Sequence, residues 1–133
     1  MIQLIVFIDD ELFCDGVKLT FKNNPDIRVT GEAANVQDFF RLLAACTPVN
    51  FVLMGVNYPG EHRCVDVTKH IRHEYPTVKI LAVANRGTAG MIQSMMKTGI
   101  NGYIGRRQTN RKELEKAIRK VAEGGEYIGK IEV

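Results

Sequence analysis

Five times along the chain a short, continuous apolar run gives way to a segment whose apolar residues recur at three- and four-residue steps. That alternation restricts the fold more than any other feature. The runs are Leu4 to Ile8, Ile27 to Gly31, Phe51 to Met54, Ile80 to Ala84 and Gly102 to Ile104. A strand that is apolar on both faces has to be covered on both sides, which is the condition of a parallel sheet wrapped by helices. The intervening segments supply the cover: Phe13, Val17 and Phe21; Val36, Phe39, Phe40 and Leu43; Val67 and Ile71; Ile92, Met95 and Met96. The last segment is the clearest, with Leu114, Ala117, Ile118, Val121 and Ala122 on one stripe.

Five β-α units in this order predict an α/β, flavodoxin-like doubly wound fold: a five-stranded parallel sheet of order 2-1-3-4-5 with five helices. Ligands of such sheets bind beyond the carboxyl ends of the first and third strands, where the strand order reverses. Asp9, Asp10 and Gly55 fall at that crevice. Local punctuation agrees, since Asn110-Arg111-Lys112-Glu113 resembles a capping box and Gly124-Gly125 is a helix stop. With 133 residues the chain is one domain's worth. It is divided here into a domain over 1–125 and a tail or linker start over 126–133. No apolar run approaches the length of a membrane span, and Met1-Ile2-Gln3-Leu4-Ile5-Val6 lacks the basic segment of a signal peptide, so a soluble, cytoplasmic protein without membrane contact is expected. Cys14, Cys46 and Cys64 are odd in number and share no metal-ligand spacing, and they suit a reduced compartment.

On residues alone the reading ends at an acidic crevice on a doubly wound sheet, and a fold does not name a function. The motifs go further. Asp9-Asp10 closes the first run, Phe51-Val52-Leu53-Met54-Gly55-Val56-Asn57-Tyr58-Pro59-Gly60 contains the third, and Gly102-Tyr103-Ile104-Gly105-Arg106 sits where receiver domains usually read Gly-Tyr-x-x-Lys. Over nearly its whole length the chain resembles a CheY-like response-regulator receiver domain of two-component systems, and it departs from that family at the chemistry. The resemblance implies that Asp9, Asp10 and the main-chain carbonyl of Asn57 are the magnesium ligands. It places Gly55 where the family carries its phosphoacceptor aspartate, Ala84 where it carries the threonine or serine that follows the phosphoryl group, and Arg106 where it carries lysine. A glycine cannot attack phosphorus, and guanidinium bonds as a planar fork where ammonium is a compact point charge. Glu61-His62-Arg63 also departs from the family's approach to its third helix.

These departures define a degenerate receiver with no catalytic residue of its own. Its expected cofactor set is none, with at most weak magnesium binding; as plain strand-end acids, Asp9 and Asp10 would instead be solvated, one of them capping the first helix. Tyr103 matches the aromatic that turns inward on activation in receivers, and the resemblance allows either a single locked rotamer or an interface residue. Tyr103, Arg107, Lys112, Lys116 and Arg119 form the expected interface, since the fourth helix, fifth strand and fifth helix are a common partner surface in receivers. The partner is expected to be an acidic protein or a second copy. Gly124-Gly125-Glu126-Tyr127-Ile128 resembles the exit from receivers followed by a LuxR-type DNA-binding domain. DNA contact is therefore expected only through a carboxyl-terminal domain outside this chain, because no reader motif lies within it. Alternatives remain: a receiver phosphorylated at a relocated acceptor, a flavodoxin-like nucleotide binder, or a thiol redox protein. The turn Ile8-Asp9-Asp10-Glu11-Leu12 argues against a nucleotide, being acidic and without a glycine-rich cradle.

Overall fold

A computed structural model describes residues 1–45, 48–56, 61–85, 87–107 and 109–131, with the backbone alone for 61–63. The chain runs β1 (Ile2–Phe7), α1 (Glu11–Phe21), β2 (Ile27–Ala33), α2 (Val36–Ala44), β3 (Phe51–Val56), α3 (Glu61–Glu74), β4 (Lys79–Ala84), α4 (Ala89–Thr98), β5 (Gly102–Gly105), α5 (Arg111–Ala122) and β6 (Tyr127–Ile128). The sheet order is β2-β1-β3-β4-β5-β6, every neighbouring pair parallel. The expected order holds, but the sheet has six strands where the sequence predicted five. Tyr127 and Ile128 pair with Gly102 and Tyr103, so the segment assigned to a tail extends the sheet. A two-residue strand carries no periodicity by which a sequence could reveal it.

Side-chain alternation divides the core between the two faces of the sheet. Along β3, Phe51 and Leu53 join Cys14, Val17 and Phe21 of α1 and Leu114, Ile118 and Val121 of α5. Val52 and Met54 point the other way, to Phe39 and Leu43 of α2, Ile71 of α3 and Ile92 and Met95 of α4. Met95 is buried and Met91 and Met96 pack against the same cluster, so the methionines fill the core.

The helices start where side-chain caps allow. Asp10, Asn35, Thr88 and Asn110 each accept from a main-chain N–H in the first turn, and for Asn110 the donor is Glu113 at 2.8 Å, the first half of the expected capping box. Gly124, at φ 98°, takes the left-handed conformation that ends α5. A half-buried strap joins α3 to the loops at the amino ends of β4 and β5. Arg72 donates through Nε to the Gly99 carbonyl at 2.9 Å, through Nη1 to Pro76 at 2.9 Å, and through Nη2 to Val78 and to Asn101 Oδ1. Gly99, at φ 131°, lies so close that a Cβ there would come within 2.7 Å of Arg72 Cγ. Burial lowers the pKa of this guanidinium from its ordinary value, and its acceptors are neutral oxygens.

Candidate functional site

Strand register assembles the crevice. Phe7 pairs with Met54, which brings the residues after β1 beside Gly55, while Gly55 pairs with Val83 and Val56 with Ala84. The Arg106 N–H donates to the Ala84 carbonyl at 2.9 Å, fixing the start of the β5–α5 loop against the end of β4. Asp9, Asp10, Gly55, Ala84 and Arg106 therefore gather at the carboxyl ends of the central strands. Asn57 and Cys46 lie outside the described residues, as do the side chains of Glu61, His62 and Arg63.

Asp9 is exposed to solvent and Asp10 is half-buried. Both oxygens of Asp10 are engaged: Oδ1 accepts from the Phe13 N–H at 3.0 Å, capping α1, and Oδ2 forms an ion pair with Arg106 Nη2. The Arg106 guanidinium also lies 5.4 Å from the centre of the Phe13 ring, within cation–π range. The cap was foreseeable from an acid just before a helix; the ion pair was not. Its signal was arginine in place of lysine, a residue with the reach and the fork to engage a carboxylate and an aromatic face together.

A Cβ at Gly55 would lie 3.0 Å from Cγ1 and 3.1 Å from Cγ2 of Ile8, so the buried Ile8 side chain closes over the place where an acceptor side chain would begin. Ala84 is buried and offers no hydroxyl. Tyr103 departs from its expected place on the interface. It is only 2 % exposed, its ring seated against Gly87, where a Cβ would fall 2.3 Å from the tyrosine oxygen. It cannot belong to an exposed contact face, and the inward rotamer is the one present.

Of the other expected interface residues, Arg107, Lys112 and Lys116 are exposed. Arg119 is turned toward the α1–β2 loop, with Nε donating to Glu115 at 2.9 Å and Nη1 to Asp26 at 3.2 Å, so its charge is largely answered within the chain. A shallow hollow on α5 is lined by Lys112, Glu115, Lys116, Arg119, Lys120 and Glu123.

On the acidic side, Asp9, Asp10, Glu11, Glu32 and Asp38 line one pocket with Cys14. Burial, then the charge of Glu32, raises the Cys14 pKa, which disfavours the thiolate that redox chemistry needs. Among the described residues no group of three His, Cys, Asp or Glu side chains is placed to hold a metal ion. With Asp10 spent on a cap and a guanidinium, Gly55 without a carboxylate and Asp9 turned to solvent, these donors do not fit a divalent cation, which wants several oxygens converging on one point.

Comparison with known proteins agrees with this geometry. Residues 4–119 match the response regulator receiver domain family. The transcriptional regulatory protein DegU of Brevibacillus brevis is 28 % identical over 127 residues, covering 96 % of this chain and 52 % of its own. The nitrate/nitrite response regulator protein NarL of Escherichia coli K12 is 27 % identical over 121 residues, covering 90 % of this chain and 55 % of its own. The chain thus spans about half the length of these curated relatives. Among solved structures, a LuxR family DNA-binding response regulator from Silicibacter pomeroyi shares the fold, with a TM-score of 0.79 at 20 % identity over 96 % of both chains. No described helix is long and apolar enough to cross a membrane. The chain belongs to the response-regulator receiver domains.

Proposed function

We propose that this domain is a pseudo-receiver: a signalling module that accepts no phosphoryl group at position 55 and acts through phosphorylation-independent protein–protein contact. The observation that carries the reading is Gly55 with Ile8 packed against it, because the nucleophile is absent and even a Cβ at this position would press on the Ile8 side chain. Ala84 and Arg106 support it. Without a hydroxyl to follow a phosphoryl oxygen, and with the cation of the site committed to Asp10, a phosphoryl group would meet no differential contacts to bias one state over another. In this reading the domain supplies the contact with a second copy or an acidic partner, and any DNA binding is not its own.

The face proposed for that contact is the exposed basic surface of Arg107, Lys112 and Lys116. Association through exposed charges is salt-sensitive, screened beyond about 8 Å at physiological ionic strength. Light scattering of the chain, alone and with candidate partners across a salt series, tests this. Association is expected to fall with salt and with Lys112→Glu/Lys116→Glu, to leave the melting temperature of that variant nearly unchanged, and to ignore a small-molecule phosphodonor. Association that rises with the phosphodonor contradicts the proposal.

A further inference from the structure

The crevice concentrates negative charge: Asp9 and Asp10 stand at the strand end, with Glu32 and Asp38 on the same pocket wall. Two side-chain cations of the chain answer these acids. Lys18 answers Glu32 at 3.2 Å and Asp15 at 3.4 Å, and Arg106 answers Asp10. Gly55 removes one negative charge from the set that a divalent ion would have to meet. The Asp10–Arg106 pair is also half-buried, with side-chain exposures of 19 % and 33 %, so water screens it less than a surface pair. Three further contacts hold its geometry: the Arg106 main-chain N–H on Ala84, the guanidinium over Phe13, and Phe13's own N–H on the other Asp10 oxygen.

We propose that Arg106 is this domain's resident cation. Its guanidinium takes the place of a dissolved metal ion on Asp10 and ties the β5–α5 loop to the first turn of α1, making this end of the sheet independent of divalent cations. The inference rests on the pseudo-receiver reading and deepens it, because a site with its own cation has neither a metal nor a phosphoryl group to wait for. Neutralising Arg106 should then do what adding a metal cannot do to the native chain: free both the charge and an oxygen of Asp10 for a divalent ion.

The test uses manganese as the probe. Its paramagnetism broadens amide signals near its binding site, and the full chain is compared with Arg106→Ala, Arg106→Gln and Arg106→Ala/Asp10→Asn. The native chain should show no selective broadening around Asp9 to Phe13, and its melting temperature should be unmoved by about 10 mM magnesium, a concentration that would stabilise a protein binding the ion in the millimolar range. Arg106→Ala should gain selective broadening there and a metal-dependent rise in melting temperature, with apparent affinity about tenfold or more above native, a difference of about 1.4 kcal/mol. Arg106→Ala/Asp10→Asn should lose both. If the alanine variant does not fold, Arg106→Gln carries the comparison. Native broadening as strong as that of the variants overturns the proposal, and so does a folded Arg106 variant that stays as indifferent to metal as the native chain. Intact mass after exposure to a phosphodonor separates the two levels: native manganese binding without an adduct removes only the role of Arg106, whereas an adduct removes the pseudo-receiver reading itself.

Discussion

Ile8, more than any lost carboxylate, shows how settled the departure at Gly55 is. A buried branched side chain stands 3.0 Å from where a Cβ at 55 would sit. Gly55→Asp therefore forces Ile8 to move and is expected to destabilise the domain by about 1–3 kcal/mol, the usual range for overpacking. Denaturant melts check it, and Gly55→Asp/Ile8→Ala should recover part of the loss; a fully stable single variant would show that Ile8 yields freely. Tyr103 and Gly87 make a second residue pair. A methyl group at 87 would overlap the tyrosine tip, so Gly87→Ala should expel the ring, read as a change in the Tyr103 aromatic proton shifts. Unchanged shifts would mean that backbone motion absorbs the methyl. Gly55, Ala84 and Arg106 were legible in the sequence because strand ends fix their place. Tyr103's burial was not, since it depends on a glycine brought near by a different loop.

At the scale of elements, apolar period located the helices of the described residues, a capping box marked the start of α5, and β6 escaped. Sequence also missed the Arg72 strap, because an arginine within a helix of polar outer face reads as solvated until the fold brings the Pro76, Val78 and Gly99 carbonyls around it. Arg72→Ala should cost on the order of 2–3 kcal/mol, since it leaves several part-buried carbonyls without their charged donor. Thermal or urea melts measure it, and a loss below about 0.5 kcal/mol would mean that water replaces the guanidinium without penalty. On α5 the sequence could align Lys112, Lys116 and Arg119 on one helix but could not show that Arg119 binds Asp26 on a distant loop. That is why charge reversal belongs at Lys112 and Lys116, whose side chains are exposed.

For the molecule as a whole, the sheet order and the two-sided core followed from the pattern of apolar runs, and the family followed from the motifs on them. What the sequence could not supply was the wiring of the crevice. Whether Asp10 faces a solvent ion or a side chain depends on the path of the β5–α5 loop, which starts against the end of β4 through the Arg106 N–H. The described crevice holds two strand-end acids, one cap and one internal cation, and in place of an acceptor it holds glycine packed under isoleucine. The most direct measurement is the intact mass of the chain after incubation with magnesium and a small-molecule phosphodonor. The account predicts an unchanged mass. A hydroxylamine-sensitive gain of one phosphoryl group would contradict it, and mapping that group to Asp9 or Asp10 would establish a relocated acceptor.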